Sequence, residues 1–203
     1  MTNSFTDYKN TDIFLIIGAN PAEAHPMAMR HIGKAMAKGA KVIVVDPRFT
    51  KTAAKADIYV PLRPGTDIAF LHGLINYAIE NDLYQHEYVN NYTNASYLIS
   101  PDYNFADGLF SGLEEKDGKL SYNTASWAYQ KDGDNIKKDP ALQDPQCVWQ
   151  ILKKHVSRYD VKTVSNVTGT PEDILRKAYA AYCESGKPDL AGNLIYVLGI
   201  TQH

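Results

Sequence analysis

The chain reads as an α/β fold: a mostly parallel, Rossmann-like sheet with helices on both faces, interrupted by an irregular Tyr-rich insertion over about residues 92–146. Three observations predict it. Two short and almost wholly apolar runs, Asp12 to Ile17 and Val42 to Val45, have the composition of strands buried on both faces. A helix-period stretch separates them, and strand–helix–strand units of this kind are nearly always right-handed and parallel. Each run ends in a loop rich in Gly, Pro, Asn and Asp, at the edge where open α/β sheets hold their ligands.

The elements follow in order. The first strand stops at Gly18. A helix opens near Pro26, whose missing N–H has no partner in a first turn anyway. Met29, Ile32 and Met36 mark its inner face, and Gly39 suits a left-handed cap. The second strand ends at Asp46-Pro47. A short third strand, Ile58 to Pro61, is closed by Pro61 and Pro64. Asp67 to Glu80 is the clearest helix. Ile68, Leu71, Ile75 and Ala78 form its apolar stripe, widened by Leu74 and Ile79, with Thr66 or Asp67 as cap. A shorter helix covers Gln85 to Asn91.

Periodicity then fails. More than half of the 14 tyrosines lie between Tyr77 and Tyr129, and they read as anchors for loops rather than platforms for nucleic-acid bases. Glu114 to Lys119 and Lys131 to Asp134 read as solvated turns of hairpins. Order returns with a helix over Cys147 to Tyr159, with Val148, Ile151, Leu152 and Val156 on one face. Thr170-Pro171-Glu172-Asp173 starts the next helix: Thr170 as cap, Pro171 at the first position, two acids against the dipole. Ile174, Leu175, Ala178 and Tyr182 face inward, and Gly186 and Pro188 close it. Asn193 to Leu198 is a last strand.

A chain of 203 residues fits one domain, here read as a single α/β domain spanning 1–203 with its insertion. Net charge is −2 with acids and bases interspersed, which argues against a broad nucleic-acid footprint. No apolar run is long enough to span a bilayer, and the first residues lack the basic-then-apolar pattern of a signal peptide. Cys147 and Cys183 lie far apart, so they read as buried thiols rather than iron–sulfur or zinc ligands. His31, His72, His86 and His155 lack partners at metal-ligand spacing and read as satisfied structural histidines.

Three loops carry the chemistry. Gly18 to Glu23 holds one glycine where the dinucleotide fingerprint needs three, yet a tight turn at a strand end still presents N–H groups to a diphosphate. The alternative is an ordinary βα turn. Asp46 ends the second strand, where an acid commonly accepts ribose hydroxyls, and Arg48 beside it suits a phosphate or Asp46 itself. Arg63-Pro-Gly65-Thr-Asp67 sets a carboxylate at a helix start, able to accept the paired N–H donors of a guanine edge or to cap the helix. Glu23 and His25 are either ligand contacts or polar loop residues. There is no P-loop, no G-x-S-x-G and no H-E-x-x-H. A ligand-holding fold without its own nucleophile suits a piece of a cofactor enzyme.

Gly18 to Pro26, Asp46 to Ala53, Ala56-Asp57 and Arg63 to Asp67, in this order, closely resemble the molybdopterin oxidoreductases. Tyr92 to Ser96, Asp107 to Gly112, Cys147 to Trp149, His155 to Tyr159, Gly169 to Pro171 and Leu198 to His203 are similar to the catalytic α subunit of respiratory-type, selenocysteine-containing formate dehydrogenases. The resemblance covers essentially the whole chain. It implies two molybdopterin guanine dinucleotides around one molybdenum or tungsten atom. It sets Gly18, Asn20 and Glu23 along the diphosphate and ribose of one of them, Asp46 and Arg48 at its guanosine, and Asp67 at its guanine edge, with Gly65 also among the cofactor-binding residues. Thr201, Gln202 and His203 would approach the pterin end.

The family's subunit is several times longer. Its iron–sulfur cysteines, its selenocysteine or cysteine metal ligand and its catalytic arginine have no counterpart here. The expectation is therefore an internal fragment, inactive alone. It would work with the remainder of the α subunit and an iron–sulfur electron-transfer subunit, with no nucleic-acid partner and no direct membrane insertion. An in-frame stop codon read as selenocysteine just before Met1 would account for the start. The rivals are another molybdopterin enzyme of nitrate or polysulfide reductase type and a non-catalytic nucleotide-binding module.

Overall fold

The computed structural model describes residues 4–106, 108–184 and 192–196. Residues Gly186, Pro188, Leu198, Thr201, Gln202 and His203, named above, lie outside them, as does Asp107. The chain divides into two compact units, Met1–Tyr84 with Val156–His203, and Gln85–His155.

In the first unit, β1 (Ile13–Ile17), β2 (Lys41–Val45), β3 (Ile58–Val60) and a last strand (Gly192–Tyr196) form a parallel sheet. Its order, last strand–β1–β2–β3, reverses direction at β1. β1 is central, so both its faces are covered and all five residues are buried. Phe14, Ile16, Val42 and Val44 point to one face and meet Ala28, Ile32 and Ala35 of α2 (Pro26–Met36). Ile13, Leu15, Ile17, Ile43 and Val45 point to the other. There they meet Phe70 and Leu74 of α3 (Asp67–Glu80), Val164 of an eight-residue helix (Val161–Thr168), and Leu175, Ala178 and Tyr179 of the next (Glu172–Cys183). Helices thus cover both faces, as the sequence predicts. A single helical turn, α1 (Pro21–Ala24), precedes α2 where the sequence suggested only a tight turn.

Four local expectations are corrected. Ile68 is 67% exposed and Ile75 is also exposed, because α3 turns Ala69, Phe70, Gly73 and Leu74 inward instead. Gly73 explains the choice: a Cβ there would sit 2.6 Å from Val164 Cγ2 and 2.7 Å from the Tyr179 hydroxyl, so the helices meet on this side. Neither Thr66 nor Asp67 caps α3 through its side chain; the Thr66 hydroxyl donates to Arg63 O at 2.6 Å. Thr170 does not cap its helix either, since its hydroxyl donates to Pro61 O and ties the helix start to the end of β3. His31 is not fully satisfied: its Nδ1 is buried and makes no hydrogen bond among the described residues.

The second unit is built from short pieces. α4 (His86–Tyr92) is followed by three two-stranded hairpins: β4 (Phe105–Ala106) with β5 (Leu109–Phe110), β6 (Leu113–Lys116) with β7 (Lys119–Tyr122), and β8 (Lys131–Asp132) with β9 (Asn135–Ile136). α5 (Val148–Val156) follows them, its Val148–His155 stretch within this unit. Asp117 and Gly118 both have positive φ, +52° and +72°, the requirement of a two-residue turn whose twist matches its strands. Aromatic rings pack on one another here: Phe110 with Trp127 at 5.2 Å, Tyr122 with Trp127 at 5.5 Å, Tyr97 with Tyr129 at 5.2 Å. Asp139 collects the N–H groups of Ala141, Gln143 and Asp144, and those bonds hold its carboxyl below the ordinary range.

Candidate functional site

The loops after β1, β2 and β3 all leave the C-terminal edge of the sheet, and its order reverses beside the first of them. That is the geometry in which open α/β sheets bind ligands. Gly18 has φ +52°, which turns the chain sharply off β1 while its N–H bonds Val45 O at 2.8 Å. Asn20 then precedes α1. The N–H groups of Ala22 and Glu23 are taken, by Thr52 Oγ1 at 3.0 Å and by Asn20 O at 3.0 Å. Those of Ala19 and Asn20 keep no partner among the described residues.

Asp46 is buried and held at three points. Its N–H donates to Val60 O at 3.2 Å, its carbonyl accepts the Tyr59 hydroxyl at 2.9 Å, and Oδ1 accepts the Arg48 N–H at 2.8 Å. Its Oδ2 keeps no partner among the described residues. Burial, and then the Asp46 charge, push the Tyr59 hydroxyl up, which keeps it a neutral donor. The Arg48 side chain is exposed.

The first two loops are joined. Thr52 is fully buried; its hydroxyl donates to Asn20 Oδ1 at 2.8 Å. The Asn20 Nδ2 donates to Glu23 Oε2, and Glu23 Oε1 pairs with Lys51 Nζ at 2.9 Å. The Lys51 hydrogen bond and charge hold the exposed Glu23 carboxyl below its ordinary range, with smaller help from Asn20 and Arg48. Sequence reading named neither Thr52 nor Lys51. The two threonines of the Asp46–Ala53 loop were the only signal, and Thr50 serves locally, accepting the Ala53 N–H at 3.1 Å.

Gly65 (φ +79°) and Asp67 follow β3, the neighbour of β2. Asp67 is 8% exposed, yet its carboxylate makes no hydrogen bond among the described residues. No hydrogen bond ties either residue to Asp46 or Asn20; strand order alone brings the three loops to one edge. Arg63, from the same motif, serves the frame. Its Nη1 donates to the carbonyls of Asn166 (2.7 Å) and Val167 (3.1 Å), at the end of the Val161–Thr168 helix. Asp57 also serves the frame, accepting the Val42 N–H at 2.8 Å. His25 sits between α1 and α2, its ring 6.3 Å from Phe5.

The molybdopterin oxidoreductase family profile matches residues 1–187. The chain belongs to that family. Among curated members, it is 47% identical over 204 residues to the formate dehydrogenase subunit alpha of Megalodesulfovibrio gigas. It is 48% identical over 205 residues to the formate dehydrogenase 2 subunit alpha (cytochrome c-553) of Nitratidesulfovibrio vulgaris. Both matches take in 100% of this chain and 20% of the relative, so the chain spans about a fifth of their length. A solved structure, acetylene hydratase from Pelobacter acetylenicus, superposes on 96% of this chain and 19% of its own, with a TM-score of 0.59 and 24% identity. That likeness establishes the α/β fold. The family's molybdenum or tungsten pterin cofactor suits the donor set of this molybdopterin oxidoreductase chain. Asp46 and Asp67 leave carboxylate oxygens open to hydroxyl and N–H donors, and the Ala19 and Asn20 N–H groups have no partner among the described residues and suit an anion.

Proposed function

We propose that this chain is part of the catalytic α subunit of a formate dehydrogenase and contributes part of one molybdopterin guanine dinucleotide site. The observation that carries the site is Asp67: a largely buried residue whose carboxylate oxygens stay open at the sheet edge, with no protein hydrogen bond among the described residues. Both oxygens keep their acceptor positions open, so the position suits a ligand that brings its own donors. A guanine edge does so with two parallel N–H groups. Asp46 Oδ2 accepts a ribose hydroxyl, and Arg48 stands beside it for the phosphates. Gly18 and Asn20 follow the diphosphate with their backbone, and Glu23, already paired with Lys51, borders the ribose. Thr201, Gln202 and His203, outside the described residues, are assigned to the pterin end by the family resemblance alone.

The formate reading rests on identities of 47% and 48% along the whole chain to formate dehydrogenase α subunits. In the longer protein the metal, molybdenum or tungsten, supplies the two-electron acceptance that formate oxidation needs. This chain's residues bind and orient the dinucleotide tail that carries it. The remainder of the α subunit brings the metal ligand, a selenocysteine in the respiratory type, with the iron–sulfur cluster. An iron–sulfur subunit receives the electrons in anaerobic respiration. Residues 1–203 are thus one α/β domain of that subunit with an insertion.

Calorimetric titration of the chain with guanosine diphosphate and adenosine diphosphate tests the site. Preference for the guanine nucleotide, lost in Asp67→Ala, is the expected result. Equal binding of both nucleotides by the wild-type chain rejects the guanine assignment.

A further inference from the structure

We infer that Thr52 is a positioning residue, whose hydroxyl fixes the amide of Asn20 and so locks the loop after β1 to the loop after β2; the inference rests on the dinucleotide reading above. A hydroxyl offers one donor and two acceptor positions. Thr52 uses both kinds, donating to Asn20 Oδ1 at 2.8 Å and accepting the Ala22 N–H at 3.0 Å. Its partners lie 32 and 30 residues earlier in the chain, so these bonds join loops that sequence does not.

The consequence for Asn20 is directional. With Oδ1 committed to Thr52, the amide must present its NH2 the other way, and there it meets Glu23 Oε2. Glu23 returns to Lys51, the residue before Thr52. Thr52, Asn20, Glu23 and Lys51 therefore close a ring of polar contacts. Thr52 is its fully buried member, whereas Glu23 and Lys51 are solvent-accessible. Loss of the hydroxyl strands the Ala22 N–H and frees the Asn20 amide to turn over. Groups behind a site that hold its contacting residues in one orientation govern how well it binds.

Two substitutions separate this from simple packing. Thr52→Val keeps the volume and removes the hydroxyl. Thr52→Ser keeps the hydroxyl and removes the methyl. A packing role predicts damage from Ser and tolerance of Val; positioning predicts the reverse. The measurements are the affinity of the 203-residue chain for guanosine diphosphate and the side-chain amide resonances of Asn20. We expect Thr52→Val to bind about tenfold more weakly, the scale of one lost hydrogen bond, and to shift the Asn20 amide pair. Thr52→Ser should match the wild type in both. Should Thr52→Val fail to fold, Thr52→Ala replaces it. Unchanged affinity together with an unmoved Asn20 amide in the hydroxyl-free variant overturns the inference. A moved Asn20 amide in a chain that does not prefer guanosine over adenosine diphosphate upholds the positioning and rejects the dinucleotide reading instead.

Discussion

Asp67 sits in the first turn of α3, where the helix dipole favours a carboxylate, yet no N–H of that turn bonds it. Residue type and position were legible in the sequence; the choice between cap and ligand contact was not, because both need an acid at a helix start. The open carboxylate supports the second. Asp67→Asn, which offers the guanine edge one acceptor and one donor, should lose most of the nucleotide preference without loss of thermal stability, read by calorimetry and a melting curve. Gly73 carries the opposite kind of information. Nothing in the sequence marks it, since a glycine inside a helix normally costs stability. Its role appears only when the Val164 and Tyr179 side chains arrive from distant segments. Gly73→Ala should destabilise the chain by about 1–3 kcal/mol through overpacking, measured by urea unfolding.

The strands and the long helices were readable because each is a single apolar pattern with clear stops. The Val161–Thr168 helix was not read. Val161, Thr163, Val164, Val167 and Thr168 are β-branched residues that lower helix propensity, so the segment lacks the usual signature. Its ends give it away in retrospect. Asp160 accepts the Thr163 N–H at 2.7 Å, and Gly169 closes the helix at φ +75°. With weak intrinsic preference, the helix depends on these ends. Asp160→Ala should cost about 1 kcal/mol, seen as a lower unfolding midpoint with an unchanged denaturant slope. The face of α3 was read only in part: Leu71, Leu74 and Ala78 do pack on the core, but Ile68 and Ile75 do not, because apolar residues surround the helix and periodicity cannot choose between two apolar sides.

The scale of the whole molecule decides behaviour with pH and activity. Burial pushes the Cys183 thiol up to about 11 and also raises the hydroxyls of Tyr179 and Tyr182. A thiol whose folded value exceeds its unfolded one keeps its proton in the native chain while the unfolded chain loses it. The resulting stability is complete below the unfolded value and is lost as pH climbs through about 11. Urea midpoints should therefore fall steadily from about pH 9 upward. Cys183→Ala should flatten the early part of that decline. The purified chain, about a fifth of its relatives' length, is expected not to reduce a viologen dye with formate. Turnover by a metal-free sample would contradict the reading of the chain as a contributor to a larger catalytic subunit. Arg63 has a separate bearing on genetics. Its guanidinium is committed to the far end of the Val161–Thr168 helix, although Gly65 and Asp67 of the same motif are proposed as ligand contacts. Alleles altered at Arg63 should lower how much protein a cell accumulates rather than what each surviving molecule recognises, and a screen scoring growth alone would confuse the two.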